Sequence, residues 1–288
     1  MIHLSRRALL IGATALASCR GRPETPKAKP PKTVAEAVAG SWRSAADRAR
    51  DSWRHPAESL AFWGLKPGAT VVEFWPGSGW YTEILAPFLA ATGGKLYAAH
   101  LQPGASPDPA VSQMIEAYRT KYADKSKLYG EVEVTAFGAT SGPVAPAGSA
   151  GLILFLRNLH NWMAAGIAEK AFRDAFLALK PGGVLGVEEH RAAPGGVPDL
   201  LAESGYVDQA YAIRLGQEAG FQLAATSEVN ANPKDTRDHP FGVWTLPPVR
   251  RSSPRGQPAD PAFDRAKYDA IGESDRMTLK FVKPKQSA

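Results

Sequence analysis

The segment Val71-Val72-Glu73-Phe74-Trp75-Pro76-Gly77-Ser78-Gly79-Trp80-Tyr81 constrains the fold more than any other stretch of the 288 residues. It reads as strand, glycine turn, helix. Residues 70–74 are apolar and β-branched enough for a buried strand. Gly77 and Gly79 permit a sharp bend and the close approach of a ligand. A helix is expected over 81–91. Further strands are expected at 95–100, 132–137, 151–156, 184–188, 221–229 and 277–282, with helices at 108–122, 168–179 and 207–219. Residues 33–63 read as helix-rich, with Val34, Ala37, Val38, Trp42, Ala45, Ala46 and Ala49 at helical spacing and a break at His55-Pro56. Such alternation predicts an α/β fold with a mostly parallel sheet covered on both faces. Residues 230–276, rich in proline and charge, read as a lid, a binding loop or a disordered stretch.

The formal net charge of +6 is carried by the first 32 residues, and residues 33–288 are neutral. Net charge therefore gives no reason to expect a nucleic-acid partner. Residues 1–18 combine Arg6 and Arg7 with an apolar run over 8–17 and small residues at the end, the pattern of a secretory signal too short to span a bilayer. Leu16-Ala17-Ser18-Cys19 resembles a bacterial lipobox, in which the cysteine is lipidated and becomes the mature N-terminus. Cys19 is the chain's one cysteine, which excludes an internal disulfide and a multi-cysteine metal site. Ser5-Arg6-Arg7 resembles a twin-arginine export signal. Residues 19–32 hold four prolines and five basic side chains, the composition of a disordered tether. The expected organisation is a signal peptide over 1–18, a tether over 19–32 and a folded body over 33–288. The expected location is the periplasmic side of a bacterial membrane, held by lipid on Cys19.

A dinucleotide fingerprint wants a third glycine or alanine where Thr82 stands, and an acid where His100 closes the second strand. A methyltransferase motif instead wants an acid two residues before its first glycine. Glu73, Gly77 and Gly79 fit it, with Trp75 in the first glycine slot. Residues 73–87 resemble the class I S-adenosylmethionine-dependent methyltransferases whose turn reads Trp-Pro-Gly-Gly-Gly-Trp-Tyr-Thr. Arg54-His55-Pro56 with Glu58, Asn158-Leu159-His160-Asn161, Leu179-Lys180-Pro181-Gly182-Gly183 and Ser274-Asp275-Arg276 extend the resemblance over about residues 40–284. It implies a Rossmann-like fold with a seven-stranded, mostly parallel sheet whose last strand is antiparallel. It also implies S-adenosylmethionine as cofactor and methyl transfer; the sequence does not name the acceptor, and a small-molecule substrate is expected.

Glu73, Gly77 and Gly79 are accordingly candidates for the cofactor site. Trp75, Trp80 and Tyr81 could offer ring faces to a sulfonium or simply pack. The family places an acid where His100 stands, to hold the ribose hydroxyls; histidine can still hydrogen-bond there, without the charge. His160 is the candidate general base and Asn158 the candidate substrate-orienting group, against the alternative that both cap the following helix. Glu188 and His190 share a strand face, but two ligands do not make a metal site, so no metal is expected and these read as solvated strand-end charges. Arg50, Asp51, Arg54, His55 and Glu58 lie before the first strand, where in the resembled fold the segment can cover the cofactor cleft; the alternative is a solvated helix face with i,i+4 pairs such as Arg54–Glu58. A non-catalytic, ligand- or protein-binding lipoprotein of the same fold is the rival reading, motivated by the missing acids.

Overall fold

The computed structural model describes residues 29–104, 108–124, 126–196 and 198–285. The expected signal peptide and most of the tether, including Arg6, Arg7 and Cys19, lie outside the described residues. Among the described residues, no helix is long and apolar enough to cross a membrane.

Four short helices open the body, α1 (Val34–Val38), α2 (Ala45–Ala49), α3 (Asp51–Arg54) and α4 (Pro56–Trp63). Thr33 and Glu36 form a capping box on α1, satisfying two otherwise orphaned N–H groups. The long helical period expected here is broken into pieces, since each of these helices ends within eight residues. His55 takes the left-handed conformation (φ +40°) and Pro56 starts α4, where the missing N–H costs nothing.

The sheet then forms from β1 (Thr70–Phe74), β2 (Lys95–Leu101), β3 (Val132–Phe137), β4 (Ala150–Leu156), β5 (Leu179–His190), β6 (Gln222–Ser227) and β7 (Arg276–Val282). The order is β3-β2-β1-β4-β5-β7-β6. The first five pair in parallel, and β7 runs antiparallel to both β5 and β6. Between the strands lie α5 (Thr82–Thr92), α6 (Pro109–Asp124), α7 (Ser126–Tyr129), α8 (Leu159–Ala164), α9 (Ala168–Ala178) and α10 (Gln209–Glu218), with α11 (Ala266–Ile271) before β7.

Alternate residues of the central strands feed two cores. Val72, Phe74, Ile153 and Phe155 pack with Trp162 of α8 and Phe172 of α9. Val71, Leu152 and Leu154 pack with Leu60 and Trp63 of α4, Ile84 and Leu85 of α5 and Tyr118 of α6. Helices on both faces explain why β1 and β4 are almost wholly apolar. The exception is Glu73, in the middle of β1.

The long segment before β7 is a built cover. Asp235 accepts from the Tyr206 hydroxyl at 3.0 Å and pairs with His239 Nε2 at 2.8 Å, and its other oxygen accepts the Asp275 N–H at 2.8 Å. Arg191 and Arg237 close on Asp275 at 2.9 and 2.6 Å. Buried charges and polar groups satisfied in this way pin the segment over the carboxyl ends of β4 and β5.

Candidate functional site

The strand order reverses between β1 and β4, and the glycine turn leaves β1 at that point. In open α/β sheets the crevice at such a switch is where ligands bind. Gly77 and Gly79 do different work there. Gly77 takes φ +60°, and a Cβ added to it would meet nothing within 4 Å. Gly79 takes φ +93°, and its Cβ would lie 1.9 Å from the Tyr122 hydroxyl, which donates to the Gly79 carbonyl at 3.1 Å. One glycine faces open space and the other makes room for a tyrosine.

Three side chains hold the turn. His100 Nδ1 accepts the Leu101 N–H at 2.8 Å, which leaves the proton on Nε2 to donate to the Gly77 carbonyl at 3.0 Å. Both ring nitrogens are thus used within the protein, and the ring is 1 % exposed. Burial pulls its pKa below the usual histidine value, so it stays neutral. Trp75 adopts φ +44° in the slot where the family motif has its first glycine, a conformation that costs a bulky residue roughly 1–3 kcal/mol. It is held by its own indole N–H, which donates to the Phe137 carbonyl at 3.0 Å, and by packing on Phe137 and Trp162. Asn158 Nδ2 donates to the Trp75 carbonyl at 3.0 Å. Asn158 sits at the N-cap of α8 without making a side-chain cap; it fastens β4 to the turn.

Glu73 lies beneath the turn, fully buried. It accepts the Thr82 hydroxyl at 2.7 Å, which also meets the Tyr118 hydroxyl at 3.0 Å. Burial pushes its carboxyl up to about 7. Trp80 carries two guanidinium groups, Arg54 at 4.7 Å and Arg43 at 5.0 Å from the ring centroid. Tyr81 has Arg157 at 5.9 Å from its ring and donates its hydroxyl to Glu188 at 3.2 Å. The cations on these rings are the protein's own arginines.

His160 is brought to the carboxyl end of the sheet by α8. Its Nδ1 lies 3.0 Å from Glu189 Oε1, and its backbone N–H donates to Glu189 Oε2 at 3.3 Å. His160 also lines the cavity described below. His190 Nδ1 meets the Ser274 hydroxyl at 2.5 Å.

The strand-end acids are not solvated, contrary to the sequence expectation. Glu188 and Glu189 are both 0 % exposed. Glu188 pairs with Arg157 at 2.9 Å and Arg276 at 3.1 Å rather than with His190. Burial opposes its charge, but Arg157, Arg276 and Arg54 outweigh burial and hold its pKa below the usual range. Arg54 pairs not with Glu58 but with Glu273, at 2.9 Å, which Arg50 and Arg276 also reach at 2.7 and 2.8 Å. Those arginines hold Glu273 at about 2 despite its burial. The result is a continuous ionic network under the cover. Sequence reasoning missed Arg157, Glu189 and Glu273. The available signals were a charged residue directly after the apolar β4 and the Ser274-Asp275-Arg276 run.

Between this network and the cover lies a cavity of about 190 Å³, lined by Arg54, Arg157, His160, His190, Glu273 and Ser274 on one side and by Val243, Trp244 and their neighbours on the other. His160, Glu189 and His190 bring one potential metal-ligand atom each within 4.8 Å of one another. The positive charge of Arg276, Arg157 and Arg54 bears on His190 and opposes a divalent cation at this spot.

No family model matches the chain, and no curated protein matches it. Solved structures do. A SAM-dependent methyltransferase from Aquifex aeolicus aligns with a TM-score of 0.50 at 20 % identity, covering 63 % of this chain and 87 % of its own. The [4+2]-cyclase SpnF aligns at 0.52 and 17 % identity, covering 85 % of this chain and 83 % of its own. Identities this low speak to architecture alone, and the two neighbours carry different activities on one scaffold. Strand order, the single antiparallel strand and these neighbours together define the architecture of the body: it is the Rossmann-like class I methyltransferase fold.

Proposed function

We propose that the protein is an S-adenosylmethionine-dependent methyltransferase acting on a small molecule. The observation that carries this reading is the open face of Gly77 at the β1–β4 switch point. A Cβ-free, left-handed residue with empty space before it is what close approach of a nucleotide-like cofactor needs. When bound, the cofactor supplies a methyl group activated on a sulfonium. The residues of this chain do the rest. Asn158 and His100 hold the turn rigid by bonding the carbonyls of Trp75 and Gly77. Glu189 orients His160, which lines the cavity and whose second ring nitrogen can take a proton from an oxygen or nitrogen nucleophile. The cover supplies the apolar wall of that cavity.

A second reading has its own support. His100 spends both nitrogens inside the protein and offers a ribose nothing, and Trp75 fills a glycine slot. A non-catalytic protein that binds a ligand on this fold fits those two facts. Calorimetry with S-adenosylmethionine, S-adenosylhomocysteine and a nicotinamide dinucleotide separates the cases. Binding of the first two with methyl turnover on an acceptor supports the methyltransferase. Binding without turnover across a broad acceptor set supports the ligand-binding protein. No binding of either adenosyl compound overturns the proposal.

We also propose that the chain is exported and anchored at the periplasmic side through lipid on Cys19, with residues 19–32 as spacer. The basis is the lone cysteine after Leu16-Ala17-Ser18 and the basic, proline-rich stretch that follows.

A further inference from the structure

The cavity under the cover has one charged wall and one apolar wall. On the charged wall and directly behind it stand Arg50, Arg54, Arg157 and Arg276, bonded to the carboxylates of Glu188 and Glu273, together with the carboxylate of Glu189, which is bonded to His160. Four guanidinium groups against three carboxylates leave one positive charge. Two of the arginines are only partly used. Arg54 spends its Nε on Glu273, and Arg157 spends Nη1 on Glu188. Among the described residues, the Nη atoms of Arg54 and the Nε and Nη2 of Arg157 have no acceptor, and both side chains line the cavity. Arg54 is 6 % exposed, and burial together with the neighbouring Arg157 pulls it down to about 9. An unbalanced buried cation is costly unless a partner arrives. The opposite wall is Val243, Trp244, Leu246, Pro247, Pro248 and Val249.

We propose that this cavity binds a small organic acid, its carboxylate taken by Arg54 and Arg157 and its apolar body laid against Trp244 and the two prolines. The surplus of a single charge favours a monoanion over a phosphate dianion. Guanidinium forks match carboxylate oxygens in geometry and make charge-assisted bonds. The volume of about 190 Å³ falls below the roughly 300–1,000 Å³ usual for drug-sized ligands, which restricts the body to a ring or a short chain. His160 lines the same cavity, so an acid held here lies beside the candidate base. As an assignment of the methyl acceptor's class this rests on the methyltransferase reading. As an anion site it does not.

The test uses the purified protein without added cofactor. Phenylacetate, a monoanion with an apolar ring, is titrated beside phenylacetamide, its neutral counterpart. The expected result is at least tenfold tighter binding of the acid. Equal binding of the two overturns the proposal. Arg54→Met and Arg157→Met should each abolish the preference, but both residues belong to the buried network and can unfold the protein. Val249→Glu avoids that problem, because Val249 is 56 % exposed and tolerates a charge. It should weaken phenylacetate about tenfold and leave phenylacetamide unchanged; unchanged phenylacetate affinity counts against the site. A carboxylate could also come from the cofactor's amino-acid end. Displacement of phenylacetate by S-adenosylhomocysteine but not by methylthioadenosine, which lacks that carboxylate, would assign the arginines to the cofactor and overturn the proposal. Joint binding of both supports it. Phenylacetate binding in a protein that binds no adenosyl compound supports the acid site while removing the methyltransferase reading.

Discussion

His100 Nε2 lies 3.0 Å from the carbonyl oxygen of Gly77, so the residue in the family's ribose slot braces the glycine turn. Replacing it should therefore act first on the fold. His100→Ala leaves a buried carbonyl without its donor and should cost about 1–3 kcal/mol. His100→Asp, which restores the family's acid, should destabilise at least as much, because a carboxylate cannot donate to that carbonyl and is buried beside it. Urea denaturation of the three proteins checks both. A stabilised Asp variant with tighter S-adenosylhomocysteine binding would show that the brace is dispensable.

The two glycines of the turn should separate in the same kind of experiment. Gly79→Ala puts a Cβ 1.9 Å from the Tyr122 hydroxyl at φ +93°, which combines overpacking with backbone strain and should cost about 3 kcal/mol or more. Gly77→Ala meets no atom within 4 Å and should cost only the left-handed penalty of about 1–2 kcal/mol. The folded Gly77→Ala protein should nonetheless bind S-adenosylhomocysteine at least tenfold more weakly than the parent, and Gly77→Val more weakly still. Thermal melts and calorimetry on the two alanine variants read out both halves. Unchanged affinity in folded Gly77→Ala would remove this surface from the cofactor site.

What could be seen in the amino-acid order follows from the range of the interactions. Strand β1 and the helix behind it are local events: an apolar β-branched run, a glycine turn, then a largely apolar stretch. The helix is buried on all sides over Thr82–Leu89, and both elements announce themselves within about ten residues, with expected bounds within a few residues of those found. The antiparallel last strand was legible only through the family resemblance, since periodicity does not report direction. The ionic network was not legible. Arg54 meets Glu273 across 219 positions and Tyr81 meets Glu188 across 107, and nothing local marks such partners. Arg54 and Glu58 have the right spacing for a surface pair, and no short-range rule points Arg54 to its partner on the far side of the chain. The proline-rich segment before β7 reads from the sequence as a lid, a binding loop or a disordered stretch, and the long-range bonds that select among them are not local: Asp235 and Asp275 are 1 % exposed and their bonds fasten the segment as a cover.

Cys19 carries the prediction about location. Cys19→Ser should release the protein from membranes and leave the body folded, because Cys19 lies eighteen positions ahead of Ala37, the first residue of the hydrophobic cores. Arg6→Lys combined with Arg7→Lys should strand the precursor in the cytoplasm if export takes the twin-arginine route. That route carries folded cargo, so the body could bind its cofactor before crossing. Mass spectrometry of gently isolated mature protein should then find an adenosyl ligand. A serine variant that still sediments with membranes after a salt wash counts against the anchor.

Glu73 gives the body an unusual dependence on pH. Its carboxyl has an unfolded value near 4.5 and a folded value of about 7, raised by burial. Between those values the native state holds a proton that the unfolded state has lost. Stability from this group is therefore complete below about pH 4.5 and falls as pH rises through about 7. The shift corresponds to about 3 kcal/mol. His100 acts with the opposite sign, since its lowered value makes the native state bind fewer protons than the unfolded chain near pH 6. The two effects overlap in the wild-type curve, so Glu73 has to be isolated by difference. Glu73→Gln keeps an oxygen for the Thr82 hydroxyl and removes the titration. It should match the wild type near pH 4.5 and exceed it by up to about 3 kcal/mol at pH 8, read from urea midpoints at matched ionic strength. A variant less stable than the wild type at pH 8 would mean that the carboxylate under the glycine turn is charged and compensated, by the Thr82 hydroxyl first and the charge of Arg157 second.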